Sequence, residues 1–342
     1  MKRMLIPTIA IAASASVSVA GDETKVDAPV RIAKWHGDAK GAISLYYDDG
    51  TESSFKNVVP ELIRRGLPGT FYICCGWFKG EDDPKLTRWS IAKEHPDTIF
   101  LGDHTWAHCG VTNATQFADE IDRNGALLRR LAGLPEDAPL SFALPGGVKW
   151  AISKEEQAKV LADHNEVLRH DFGSNIGGPK DGANKLFAMR TADDAIKAFD
   201  RAEEKGGWEA LIFHGVGGDW ITFDLEDHGK MLDELERRAK ENRLWVGSAI
   251  DVHRYAEARD ATRIADLHVS EDGLDFKVEA DSTYPLTLVC NVPEGWKFAK
   301  VECAKASSGH KPVHLEKIPV AEGRIVFDLP IGCAGVSVRK AD

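Results

Sequence analysis

From about residue 28 to 258 the chain alternates short apolar runs with stretches of helical period, and beyond about residue 262 that alternation stops. Such strand–helix repetition buries short strands on both faces and predicts a parallel sheet, open or closed. Strands are expected over Ala42–Tyr47, Thr70–Cys75, Thr98–Leu101, Leu140–Leu144, Ala210–Phe213 and Leu244–Val246. Helices are expected over Ser53–Arg65, Thr87–Glu94, Thr115–Leu131, Lys154–Ala162, Asp193–Glu204, Glu226–Asn242 and Ala249–Arg259. The tail reads differently. Leu274–Ala280, Pro285–Val292, Lys300–Lys305, Val313–Pro319, Arg324–Leu329 and Gly335–Arg339 are strand-like, and turn pairs such as Asp272-Gly273 and Glu322-Gly323 separate them. That texture predicts an all-β unit over 262–342, a small sandwich.

The first twenty residues read as an export signal. Lys2 and Arg3 precede the apolar run Leu5–Ala13, and Ser18-Val19-Ala20 is a small-residue cleavage site. The run is shorter than the roughly 20 apolar residues that span a bilayer, so no transmembrane segment is expected after cleavage. The destination is periplasmic or extracellular. A net charge of −11 argues against a nucleic-acid partner, which would need clustered Lys and Arg. Six cysteines without a Cys-x-x-Cys pair argue against a cysteine zinc knuckle. Nothing in the pattern specifies an oligomeric state.

Polar groups recur at one topological position. Asp48, Asp103-His104, Pro145-Gly146 and His214 each come just after an expected strand. That carboxyl end is where α/β barrels build active sites. An Asp-Asp-Gly run also suits a plain turn, and neighbours in a strand normally diverge. At a strand end both Asp48 and Asp49 could turn into one site, one binding metal while the other accepts a proton. His104 and His108 have the i, i+4 spacing that juxtaposes two imidazoles on a helical turn, a spacing that zinc sites use. Thr105 follows His104, so this is not the His-Glu-x-x-His arrangement, and the base must come from elsewhere. His214 opens the glycine-rich stretch Gly215-Val216-Gly217-Gly218 and is placed to act as a general acid. Trp106, Trp150 and Trp220 sit in or beside the same loops, where an aromatic ring can stack on a sugar or simply be buried.

Four segments resemble motifs of the polysaccharide deacetylases of the nodulation-protein-B type, carbohydrate esterase family four. They are Tyr46-Tyr47-Asp48-Asp49-Gly50, Gly102-Asp103-His104-Thr105-Trp106-Ala107-His108, Phe142-Ala143-Leu144-Pro145-Gly146-Gly147 and Leu211-Ile212-Phe213-His214. The likeness spans about residues 30–258 and leaves the β unit aside. It implies a distorted (β/α) barrel and an acetylated glycan as substrate. It also implies one divalent metal ion, zinc first, with cobalt or nickel as alternatives. By position Asp49, His104 and His108 would be ligands, Asp48 the base and His214 the acid, with a backbone N–H near Gly146 holding the oxyanion. Ala143 stands where the family has an arginine that orients the base, and Arg169 or Arg190 could replace it. The family's Asp/Trp motif has no clear counterpart, although Asp171 falls in a suitable segment. Tyr46-Tyr47 replaces the commoner Thr-Phe.

The reading is therefore an exported, metal-dependent hydrolase that removes N- or O-linked acetyl groups from a poly- or oligosaccharide. Two alternatives remain: a glycan-binding protein of weakened catalysis, or an amidase or esterase that uses the same site on a small molecule.

Overall fold

In this computed structural model residues 28–169, 191–279, 284–305 and 312–341 are described. The export signal, Asp171 and Arg190 lie outside those residues. No helix among the described residues is long and apolar enough to cross a membrane.

The chain enters through a short strand, β1 (Val30–Ile32), and then forms β2 (Gly41–Tyr47), buried along its whole length. A strand covered on both faces must be near-continuously apolar, and Ala42–Tyr47 satisfies that. There follow β3 (Gly69–Ile73), β4 (Ile99–Asp103), β5 (Leu140–Phe142), β6 (Glu166–Leu168), β7 (Trp208–Phe213) and β8 (Leu244–Val246). The helices among and after them are α1 (Val59–Arg65), α2 (Pro84–Thr87), α3 (Ile91–Glu94), α4 (Ala114–Ala132), α5 (Lys154–Asp163), α6 (Ala192–Lys205), α7 (Leu225–Lys240) and α8 (Ala249–Ala261). The strands pair in the order β6-β5-β4-β3-β2-β7, and β8 pairs with the first residues of β2; every pairing is parallel. The result is a curled parallel half-barrel, the distorted (β/α) barrel expected from the sequence.

Alternation along β2 sorts its side chains. Ile43, Leu45 and Tyr47 join the large core under the helices, with Leu62, Phe71, Leu128, Phe199 and Leu235. Ala42 and Tyr46 face a second core with Tyr72, Ala143, Trp208 and Val252. Asp48 continues that second row, so the strand's own period delivers it to the inner face.

Helix ends follow the local chemistry. Asn113 caps α4 by accepting from the Gln116 N–H, Ser153 and Glu156 form a reciprocal capping box on α5, and Asp224 caps α7. Gly66, Gly133 and Gly206 close α1, α4 and α6 in the left-handed conformation. The helix expected over Thr87–Glu94 is instead a succession of short turns, 84–87, 88–90 and 91–94.

The remaining strands are β9 (Arg263–Ser270), β10 (Gly273–Glu279), β11 (Leu286–Asn291), β12 (Phe298–Lys305), β13 (Val313–Pro319), β14 (Arg324–Leu329) and β15 (Cys333–Lys340). They make antiparallel sheets of order β13-β12-β15-β10-β9 and β1-β11-β14, so the strand that opens the chain lies in the second of them. Leu288, Ile325 and Phe327 share one core with Phe276, Val301 and Val338, which makes the pair a sandwich. The sandwich is tied to the segment leading into β2. Ala33 N–H donates to Thr287 O at 2.8 Å, and the Tyr255 hydroxyl on α8 donates to Ala33 O at 2.9 Å.

Candidate functional site

The carboxyl end of β2 brings both aspartates into one place, and the backbone explains how. Asp49 has φ +72°, so the chain reverses where a continued strand would send its side chain to the opposite face. Asp49 Oδ1 then lies 3.3 Å from His104 Nε2 and 3.6 Å from His108 Nε2. His214 Nε2 stands 4.0 Å from the other oxygen, Oδ2, which accepts a 2.6 Å hydrogen bond from Trp220 Nε1. Burial pushes Asp49 up, but His104 and then Trp220 outweigh it and hold the carboxylate below its usual range.

His104 leaves β4 with Nδ1 2.7 Å from the Ala143 carbonyl oxygen. A carbonyl can only accept, so Nδ1 carries a proton and Nε2 is the ring atom turned toward Asp49. His108 does not follow on a helical turn, as its spacing suggested. Thr105 and His108 both have positive φ, +61° and +51°, in an irregular loop. That loop is held by two bonds: Thr105 N–H donates to Asp103 Oδ1 at 2.7 Å, and His108 N–H donates to Thr105 Oγ1 at 3.0 Å. Burial, then the neighbouring His104, lowers His108 from 6.5, which favours its neutral form.

Asp103 anchors this loop from beneath. Its Oδ1 also accepts from Asn124 Nδ2 on α4 at 3.0 Å, and Asn124 in turn bonds the backbone of Ile73 and Cys75. Asp103 meets the buried Glu166 of β6, and burial pushes both carboxyls up. A proton shared by this pair would bridge Asp103 Oδ2 and one Glu166 oxygen, neither of which has another hydrogen-bond partner.

Asp48 is held from the far edge of the sheet. Arg169, directly after β6, donates from Nη1 to Asp48 Oδ1 at 2.6 Å and from Nη2 to Oδ2 at 2.9 Å. Its guanidinium carbon lies 4.8 Å from the Tyr72 ring centre and 5.6 Å from that of Tyr46. Burial pushes Asp48 up, yet the Arg169 charge, with His104, holds it at about 2. Ala143 lies in the inner core and contributes backbone alone, its carbonyl to His104 and its N–H to Asp103 O at 2.8 Å. The arginine missing there is thus supplied by Arg169, and Tyr46, unusual at its position, is part of that arginine's aromatic bed.

The His214 carbonyl accepts from Thr51 Oγ1 (3.1 Å) and Ser54 Oγ (2.6 Å), which fixes the β7 end against the β2 loop. Gly146 is exposed with open space around it, and Pro145 O accepts from Trp150 Nε1 at 3.1 Å. Trp150 packs edge-on against Phe117, 5.3 Å between ring centres, and Trp106 is covered by Arg123, 3.7 Å from its ring centre. Trp220 is the exposed one, at 46%. Its partner, Trp77, does not stand out in the sequence. Trp77 is equally exposed, lies 5.9 Å from Trp220 and 5.3 Å from His108 between ring centres, and is pinned by Nε1 to Ala107 O at 3.2 Å.

The donor chemistry suits a divalent cation. Asp49 Oδ1 is buried without a hydrogen-bond partner and faces two imidazole nitrogens, an arrangement that a cation would complete. Cys74 is also near: its Sγ, an Asp49 oxygen and a His104 nitrogen lie within 4.8 Å of one another.

The carboxyl rim of the half-barrel thus gathers an Asp–Asp pair, His104, His108 and His214, with one of the two carboxylates held by Arg169. Residues 36–168 match the family model of the polysaccharide deacetylases. That segment holds Asp48, Asp49, His104 and His108, while Arg169 and His214 follow it. No curated protein shows a significant sequence match to the chain. Among solved structures it is similar to a family 4 carbohydrate esterase from Streptomyces lividans in complex with acetate, at 17% identity and TM-score 0.41, over 61% of this chain and 93% of that one. It is similar also to the chitin deacetylase of the fungal pathogen Colletotrichum lindemuthianum, at 16% identity and TM-score 0.39, over 58% and 83%. A polysaccharide deacetylase from Bacillus cereus aligns at 15% identity and TM-score 0.38, over 61% and 91%.

Proposed function

We propose that this protein is an exported, metal-dependent deacetylase of an acetylated glycan. The observation that carries the reading is Asp49 Oδ1, buried and unpartnered between His104 and His108, beside an aspartate clamped by Arg169. Asp49, His104 and His108 would hold a divalent ion, zinc first, with cobalt or nickel as alternatives. The ion would supply Lewis-acid polarisation of the acetyl carbonyl and acidify the attacking water.

This chain's own residues do the rest. Asp48, kept ionised and oriented by the two Arg169 hydrogen bonds, accepts the water's proton. His214, on the other side of Asp49, gives a proton to the leaving nitrogen or oxygen of the sugar. The open backbone at Gly146 offers an N–H to the developing oxyanion. Trp77 and Trp220 provide exposed aromatic surface against which a sugar ring can stack. Of the two grounds for reading the domain as a weakened binding protein, the alanine at position 143 and the absent Asp/Trp motif, the Arg169 clamp answers the first.

The test is acetate release by Asp48→Asn, compared with the unaltered protein on chitin oligomers, peptidoglycan and O-acetylated xylan. The reading requires a fall of about 100-fold or more with metal content unchanged. Undiminished release would remove Asp48 as the base. Export is tested separately: the protein recovered outside the cytosol should begin at Gly21.

A further inference from the structure

Cys74 comes directly after β3 and is fully buried, at the same rim of the half-barrel as Asp49 and His104. Its Sγ, one Asp49 oxygen and one His104 ring nitrogen lie mutually within 4.8 Å. Two donors on one tetrahedral zinc stand roughly 3.3–3.7 Å apart, as bond lengths of about 2.0–2.3 Å require, so small side-chain adjustments bring all three onto one ion. The sulfur is already fixed to the backbone of a ligand residue, since the thiol donates to His104 O at 3.2 Å. His108 approaches Asp49 from the solvent side, its side chain 20% exposed. A buried cysteine is more often a small apolar filler. Here, however, the neighbouring Asp49 Oδ1 is buried without a partner and aimed into the same space, which independently points to a cation. Cys75, the next residue, belongs instead to the core beneath the helices.

We propose that Cys74 is a metal ligand in this chain. The centre is then a sulfur-containing one, Asp49–Cys74–His104, with His108 as the donor nearest solvent. This rests on the metal reading above. On ligation the Sγ–H bond breaks, the sulfur–metal bond forms with the electron pair kept on sulfur, and the proton leaves to solvent. A soft donor biases the site toward zinc or cobalt and away from magnesium or manganese.

The experiment is a cobalt(II) titration of the metal-free, full-length mature protein, read by near-ultraviolet absorption and by the stoichiometry of bound cobalt. The unaltered protein should bind one cobalt ion with thiolate-to-cobalt charge-transfer absorption. Cys74→Ser should lose that absorption and bind cobalt at least about tenfold more weakly, while Cys75→Ser keeps it. One equivalent of cobalt bound without the absorption, or absorption that persists in Cys74→Ser, overturns the sulfur ligand and leaves the Asp/His/His reading standing. Failure of the unaltered protein to bind cobalt overturns both. Should Cys74→Ser not fold, Cys74→Ala is titrated in its place, with the same two outcomes.

Discussion

Replacing Arg169 with methionine isolates the clamp on Asp48. The guanidinium and the carboxylate are both buried and share two hydrogen bonds of 2.6 and 2.9 Å. Removing one partner of such a pair leaves an uncompensated buried charge, a loss of about 3–5 kcal/mol. The pH dependence follows from Asp48, held at about 2 against an ordinary 3.8. A depressed carboxyl stabilises the fold above its unfolded value and loses that contribution as pH falls through the folded one, here about 2 kcal/mol between roughly pH 4 and pH 2. Without Arg169 the sign reverses, because burial alone raises Asp48 and acidification then relieves the variant. The stability difference between unaltered protein and variant is therefore greatest near pH 7 and shrinks below pH 4. Urea unfolding of metal-free protein at pH 7, 5 and 3 measures it. A difference that stays constant across these pH values, or lies below about 1 kcal/mol at pH 7, refutes the clamp as described.

Other perturbations have equally definite outcomes. Asn124→Leu strands Asp103, the Ile73 carbonyl and the Cys75 N–H, and should cost about 1–3 kcal/mol of stability by thermal or urea unfolding; an unchanged midpoint contradicts the anchoring role. Trp220→Phe keeps an aromatic side chain and deletes the donor to Asp49 Oδ2, so metal affinity should fall about tenfold or more in a competition titration, and unchanged affinity would show the bond to be dispensable. Trp77→Ala should raise KM for a glycan oligomer roughly 5–10-fold, as loss of about 1 kcal/mol of aromatic contact implies, with kcat nearly intact; a selective fall in kcat would place Trp77 elsewhere in the reaction. Gly41→Ala should be poorly tolerated, because its Cβ would lie 2.4 Å from the Ala202 carbonyl oxygen; expression and melting temperature report it.

Much of this was legible in the chain because the relevant signals are local. Continuous apolar runs marked β2 and β7, and helical period marked α4. Asp48, Asp49, His104 and His108 stood out by position after strands. What escaped was set by tertiary partners. β6 is only three residues long and contains a glutamate, which is explicable only by its buried contact with Asp103. β9 is mostly exposed and has no clean alternation to announce it. β1 lies far in sequence from β11, with which it pairs. The i, i+4 histidines suggested a helical turn, but Asp103 and the Thr105 hydroxyl impose a loop with two left-handed residues. Arg169 was one of two arginines that could have reached Asp48, and the position of β6 at the sheet's edge selects it. Trp77 carried no sequence signal at all, since what distinguishes it is its ring contacts with Trp220 and His108.

Acetate release under metal control tests the central claim most directly. The mature protein, stripped by chelator and then given back zinc or cobalt, is assayed on acetylated chitin, peptidoglycan and xylan, with His104→Ala alongside. The account predicts release from at least one glycan, abolished by chelation, restored by one equivalent of metal, and absent in His104→Ala. Release that is indifferent to chelator and to His104→Ala would contradict it.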